Sequence, residues 1–227
     1  MTHAWWLDEL AHAGPEHLDP AFVAGYNAKS GAETTDDITP FVEHGVGPES
    51  TVVDFGAGTG RFAFKAAEHF RRVIAVEPSP AMLAVLRAGA PENVESVRAG
   101  FLTYTHAGPP ADGVYTRNAL HQLPDFWKVV ALQRVADLLR PGGVLRLRDL
   151  VYDCEPSEIE AVIERWMANA TGDPARGYTA GDLAQHIRTE HSTMRWLLEP
   201  MLDRAGFVIV SVDYRVHVYG EYTCVRR

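Results

Sequence analysis

The segment that decides the fold reads Val53-Asp54-Phe55-Gly56-Ala57-Gly58-Thr59-Gly60-Arg61. It begins in an apolar, β-branched run at residues 51–55, which predicts a buried strand, and its three glycines predict a sharp turn. Residues 61–70 carry small and aromatic side chains at helical spacing, so we expect a helix there with Thr59 as its cap. Glycine lets the backbone approach a ligand closely, and a helix N-terminus offers free N–H groups. The segment therefore predicts a ligand-binding strand–turn–helix unit.

Short apolar runs alternate with helical patterns along most of the chain. Further strands are predicted at residues 73–76, 94–97, 113–116 and 144–151, with helices from residue 79 and over residues 125–139. This alternation is typical of a parallel sheet with helices on both faces. Two β-rich runs, 207–212 and 214–225, are joined too tightly for a helical crossover, which predicts an antiparallel hairpin at the sheet edge. We therefore expect an α/β fold with a Rossmann-like, doubly wound sheet of seven mostly parallel strands.

The segments outside the sheet suggest a cover and one larger domain. Residues 1–47 are expected to form a helical cover segment, and residues 48–227 a ligand-binding domain. Within that domain, residues 152–201 are expected to form a helical insertion, or lid, before the last two strands.

Composition and charge restrict the class of protein. Of the 227 residues, 46% are hydrophobic and 22% are charged, which excludes a disordered or fibrous chain. The formal net charge of −9 disfavours nucleic acid and anionic membrane surfaces as partners. The two cysteines are far apart, and we find neither a secretory signal nor an apolar run of about 20 residues. We therefore expect a cytoplasmic protein that is a monomer or a homodimer.

An acidic residue follows the second predicted strand. Glu77 lies 21 positions after Gly56, the spacing at which a carboxylate binds a ribose diol in nucleotide-binding βαβ units. The dinucleotide fingerprint needs a third small residue where this chain has Arg61, and Asp54 would repel a pyrophosphate. Both residues favour S-adenosylmethionine (SAM), which carries positive charge and no phosphate, over NAD.

Four motifs, in this order, resemble those of the class I SAM-dependent methyltransferases. They are VDFGAGTG (53–60), VIAVEPSPAML (73–83), DGVYTRNALHQL (112–123) and LRPGGVL (139–145), and the terminal hairpin is similar in outline. The resemblance implies a methyltransferase with SAM as cofactor and S-adenosylhomocysteine as product. It also implies a set of cofactor-binding residues: Asp54, Gly56, Ala57, Gly58, Gly60, Glu77, Pro78, Met82, Gly100, Phe101, Leu102, Asn118 and Ala119.

Within that set, the resemblance implies that Asp54 and the glycines line the methionine end, that Glu77 binds the ribose and that Met82 lies beside the adenine. One stretch departs from the family. After the third strand, many members carry an acidic residue that accepts a hydrogen bond from the adenine amino group, where this chain reads Ala99-Gly100-Phe101-Leu102. We therefore expect main-chain contacts to the adenine there.

Candidate catalytic and acceptor-binding residues follow the strands or lie in the covering segments. His121 is the candidate general base, with a packing role as the alternative, and Tyr26 is the second catalytic candidate, with a hydrophobic contact as the alternative. The expected acceptor-binding residues are Tyr26, Lys29, His121, Arg148, His191 and Trp196. For Arg148 the alternative is a position on an exposed strand edge. For His191 and Trp196 the alternative is a surface helix with Trp196 in the core. No metal site is expected, because His186 and His191 are five positions apart and do not share a helical face.

The expected reaction is methyl transfer from SAM to an oxygen or nitrogen of a small molecule, without a nucleic-acid or membrane partner. For such a transfer, the protein mainly aligns donor and acceptor and excludes water. Two alternatives stay open: a SAM-consuming lyase or cyclase on the same fold, and a non-catalytic SAM-binding subunit that activates a partner.

Overall fold

Five parallel strands and a carboxyl-terminal hairpin form one sheet in the computed structural model, which describes residues 4–29 and 36–227. The strands are β1 (Thr51–Phe55), β2 (Arg72–Val76), β3 (Val94–Val97), β4 (Ala111–Arg117), β5 (Leu139–Tyr152), β6 (Thr193–Met194), β7 (Phe207–Arg215) and β8 (Tyr219–Arg226). Their order across the sheet is β3-β2-β1-β4-β5-β8-β7, and the short β6 pairs with β5 outside this path. Only the pairs β5–β8 and β7–β8 are antiparallel among the described strands. The expected seven-stranded, mostly parallel sheet is confirmed, with one two-residue strand in addition.

Helices cover both faces of the sheet. Among the described residues, the α-helices are α1 (Pro20–Lys29), α2 (Thr39–Glu43), α3 (Arg61–Ala67), α4 (Pro80–Gly89), α5 (Asp125–Leu138), α6 (Ile159–Ala168), α7 (Ala180–Thr189) and α8 (Arg195–Arg204). On β1, Val53 and Phe55 belong to one buried apolar cluster and Val52 to another. Because successive side chains point to opposite faces, both faces of β1 are covered, which explains why its valines and Phe55 follow one another with only Asp54 between them. None of the helices in the described ranges has the length and apolar composition needed to cross a membrane.

The carboxyl ends of β1, β4 and β5 meet at one edge of the sheet, because these strands are parallel neighbours. The glycine turn follows β1, a 3₁₀ turn (Leu120–Gln122) follows β4, and Asp149 lies near the end of β5. Parts of the N-terminal segment pack onto the same edge, where the Ser79 hydroxyl donates to the His17 carbonyl (2.6 Å). This contact fits the predicted cover segment, although the described part of it combines α1 and α2 with two 3₁₀ turns.

Two local predictions are wrong. Thr59 does not cap α3: the N-cap is Gly60, with φ +90°, and the Thr59 hydroxyl donates instead to Asn27 Oδ1 (2.6 Å). The hairpin turn lies at residues 216–218, so Tyr214 belongs to β7. Val216 and His217 have φ of +50° and +59°. Two such residues in succession are typical of a tight hairpin turn, but its usual signal is Asn or Gly, which this segment lacks.

Candidate functional site

The three glycines of the turn after β1 have different surroundings. A Cβ at Gly56 would lie 2.3 Å from the Cβ of Ala119, and one at Gly60 would lie 2.7 Å from the Phe64 ring. Gly58 has φ +55°, and apart from Gly58 and its two chain neighbours no atom of the described residues lies within 4 Å of the position a Cβ would take. Gly56 and Gly60 therefore permit packing of the turn, while Gly58 leaves space in which a ligand can approach the backbone.

Glu77 connects the turn to the end of β2. Its Oε2 accepts the Gly58 N–H (2.8 Å) and its Oε1 accepts the Ser79 N–H (2.7 Å), while the side chain is 5% exposed. A carboxylate has about four acceptor positions, so capacity remains for a ribose diol. Burial raises the pKa of Glu77, although these backbone hydrogen bonds oppose the shift. The sequence-predicted pair of glycine turn and acidic residue is thus in direct contact.

Asp54 is the buried carboxyl group beneath this turn. It is 2% exposed, and its Oδ2 has no hydrogen-bond partner among the described residues. Burial, and then the charge of Glu77, raise the pKa of Asp54 well above its usual range. A buried carboxyl oxygen without a partner costs free energy unless a ligand satisfies it. The open space at Gly58 and this unpartnered acid both fit the methionine end of SAM, which carries an ammonium group.

Glu9 lies at the predicted adenine end, and sequence analysis missed it. Its carboxylate accepts the Leu102 N–H (2.9 Å) and the Thr103 hydroxyl (2.9 Å), and a Cβ at Gly100 would lie 2.4 Å from it. Phe101 stacks on Phe55 in the core, with ring centroids 4.9 Å apart. The N-terminal segment therefore supplies the acidic side chain that the loop after β3 lacks, and it occupies a main-chain donor predicted to bind adenine.

A cavity of about 470 Å³ opens beside the carboxyl ends of β4 and β5. It is lined by the N-terminal segment (including His17, Phe22 and Tyr26), by residues after β4, and by residues of α6, α7 and the loop between them. Asn118, with φ +49°, lines this cavity, and the adjacent Ala119 packs against Gly56. Burial raises the pKa of Tyr26, and the charge of Glu77 adds to the shift. The cavity therefore adjoins the glycine turn, as methyl transfer between two ligands requires.

His121 lies in this cavity wall between two carboxylates. Its Nδ1 contacts Asp149 Oδ1, and its Nε2 lies 2.8 Å from Glu190 Oε2. Burial alone would lower the pKa of His121, but Asp149 and Glu190 together raise it to about 9. The same Glu190 oxygen lies 2.7 Å from Nδ1 of His186. Sequence analysis missed Asp149 and Glu190, although the i,i+4 spacing of His186 and Glu190 is visible in the sequence.

The other predicted acceptor-binding residues lie elsewhere. Arg148 is 3% exposed and forms ion pairs with Asp37 and Glu221, because it points to the face of β5 opposite Asp149. Trp196 is 48% exposed on α8, and neither it nor Arg148 lines the cavity. The His191 ring lies 6.0 Å from that of His12, a residue of the cavity wall, while its N–H donates to the His121 carbonyl. The side chain of Lys29 lies outside the described residues.

Comparison with known proteins supports a methyltransferase. A family model described as a methyltransferase domain matches residues 52–143. The chain is 27% identical over 158 residues to the uncharacterized methyltransferase YrrT of Bacillus subtilis (strain 168), covering 70% of each protein. It is 29% identical over 160 residues to an uncharacterized methyltransferase of Geobacillus kaustophilus (strain HTA426), covering 69% of this chain and 68% of that one.

Among solved structures, the chain is similar in fold to the magnesium protoporphyrin IX methyltransferase of Synechocystis PCC 6803 with bound SAM. The TM-score is 0.63 at 14% sequence identity, over 100% of both chains. The matched domain and the methyltransferase relatives support a class I SAM-dependent methyltransferase, and the fold of the chain agrees with this assignment.

Proposed function

We propose that the protein transfers the methyl group of SAM to an oxygen or nitrogen of a small molecule that binds in the cavity lined by Tyr26 and His121. The cavity itself is the observation that carries the proposal. Its volume of about 470 Å³ lies within the range of about 300–1,000 Å³ that is usual for small-molecule sites.

The covering segments support a small acceptor over a macromolecule. Phe22 and Tyr26 line the cavity from the N-terminal segment, while Trp166 and Tyr178 line it from the helical insertion. Aromatic side chains from both segments can enclose a planar or apolar ligand and exclude water from it. The net charge of −9 also disfavours a nucleic-acid acceptor.

SAM supplies an already activated methyl group on its sulfonium sulfur. The chain's own residues then have to hold the two ligands in line. Glu77 accepts from the ribose hydroxyls, Asp54 attracts the amino-acid end, and Glu9 lies at the adenine end. Tyr26 and His121 contact the acceptor, since both line the cavity.

The test is to incubate the protein with SAM and a panel of small hydroxyl and amine compounds and to identify products by mass spectrometry. S-adenosylhomocysteine together with a methylated acceptor is the expected result, whereas methylthioadenosine would indicate a lyase. The variant His121→Ala should keep its SAM affinity and lose turnover. Normal turnover in that variant would exclude His121 from the methyl transfer.

A further inference from the structure

Three side chains with metal-ligating atoms converge in the cavity wall. Oε2 of Glu190 lies 2.8 Å from Nε2 of His121 and 2.7 Å from Nδ1 of His186, and the three ligand atoms all lie within 4.8 Å of one another. Tetrahedral ligands about 2.0–2.1 Å from an ion are about 3.3–3.4 Å apart. The Glu190 oxygen is about 0.6 Å nearer than this to each imidazole nitrogen, so a small separation of the three side chains makes room for one ion between them.

The outer nitrogens of both imidazoles already have partners. Nδ1 of His121 contacts the Asp149 carboxylate, and Nε2 of His186 lies 2.7 Å from the Ser192 hydroxyl. Gln122 Nε2 donates to the Glu190 carboxylate (3.0 Å). Histidine ligands of metal ions almost always bond through their second nitrogen in this way, which fixes the ring and directs the other nitrogen to the ion.

Charge balance also permits an ion here. The cluster contains two carboxylates, Asp149 and Glu190, and two imidazoles that are 5% and 12% exposed. One divalent cation balances the two carboxylate charges, so metal binding leaves no unpaired charge in the protein interior.

We propose that His121, His186 and Glu190 bind a divalent first-row transition metal ion, such as zinc or iron(II), with its remaining coordination positions open to the cavity. Two imidazoles and one carboxylate are a ligand set of catalytic zinc and non-haem iron(II) sites, whereas magnesium and calcium prefer oxygen ligands. The sequence-based expectation of no metal site rested on the pair His186 and His191. In the structure, the imidazole that lies beside His186 is that of His121.

The ion would hold the acceptor. A hydroxyl group coordinated at an open position ionises at lower pH, with its proton leaving to solvent. This use of the ion rests on the proposed function, whereas binding of the ion does not.

Metal binding is measured on protein freed of metal with a chelator. Calorimetric titration with zinc chloride should show one site per chain, and cobalt(II) should produce visible absorption bands that zinc abolishes. His186→Ala and Glu190→Gln should weaken zinc binding at least about 100-fold, and Asp149→Asn about 10- to 100-fold. His191→Ala is the matched control, because it removes an adjacent imidazole outside the cluster, and it should bind zinc within about three-fold of the wild type.

Several outcomes would overturn the site. One is a wild-type protein that binds SAM but neither zinc nor cobalt(II), and another is a His186→Ala variant that is folded by circular dichroism and binds zinc normally. A third is an equal loss of affinity in His191→Ala. None of these affects the proposed methylation of a small molecule, while a protein that binds zinc but methylates no small acceptor would refute that function and leave the metal site standing.

Discussion

A substitution at Gly58 can test whether SAM lies against the glycine turn, because its effect on SAM affinity can be measured separately from its effect on stability. Beyond its two chain neighbours, no other described residue has an atom within 4 Å of the position of the added Cβ, so Gly58→Ala adds a methyl group to open space. The substitution keeps the N–H that donates to Glu77. At φ +55°, alanine costs about 1–2 kcal/mol relative to glycine, which lowers the Tm of a chain of this size by roughly 2–8 °C.

The loss of SAM-binding free energy should be separate from this loss of stability, and larger. If the ligand lies against the turn, the added methyl overlaps it, and such overlap costs about 1–3 kcal/mol, or roughly a 5- to 150-fold loss of affinity. Gly45→Ala is the matched control, since Gly45 also has a positive φ (+83°) and open space around its Cβ position but lies outside the turn. It should lose similar stability and bind SAM normally. Calorimetric titration with SAM and thermal unfolding of both variants decide the matter, and unchanged SAM affinity in Gly58→Ala would show that the cofactor does not lie on this turn.

Three further substitutions test the neighbouring charges. Glu77→Ala should weaken SAM binding in calorimetry by about 1–3 kcal/mol through loss of a charge-assisted bond, and undiminished affinity would remove Glu77 from the site. Because burial and the charge of Glu77 raise the pKa of Asp54, the empty protein should lose stability as pH rises through that raised value. SAM should bind the ionised form of Asp54, so the affinity for SAM should increase over the same pH range and binding should release a proton. Calorimetry in two buffers measures this release, and Asp54→Asn should abolish the pH dependence. Asp37→Ala should cost about 3–5 kcal/mol, because it leaves two buried arginine side chains with one carboxylate, and the Tm should fall by roughly 6–20 °C. The control is Asp36→Ala at the exposed neighbouring position, which should lower the free energy of unfolding by about 1 kcal/mol. An equal loss of stability in both variants would contradict this account of the ion cluster.

The parts of the fold that follow from local chemistry could be predicted. Residues 51–55 form a strand with the expected bounds, because a β-branched run between polar segments satisfies both covered faces of a parallel sheet. The hairpin turn at Val216 and His217 could not be placed, since neither residue favours a positive φ and only the pairing of β7 with β8 imposes that conformation.

The candidate site likewise contains contacts that the sequence could predict and contacts that it could not. Glu77 and Gly58 are joined by one βαβ unit of short, regular geometry, so their sequence spacing was enough to bring them together. Arg148 and Asp149 are adjacent on β5, and alternation sends one to an internal ion cluster and the other to His121, but the sequence does not say which face carries the cavity. Glu9 and Glu190 belong to covering segments whose packing depends on many weak apolar contacts and not on a repeating pattern. We therefore expect the covering segments to contribute to both ligand sites, with Glu9 at the donor end and Glu190 beside His121, which the sheet edge supplies.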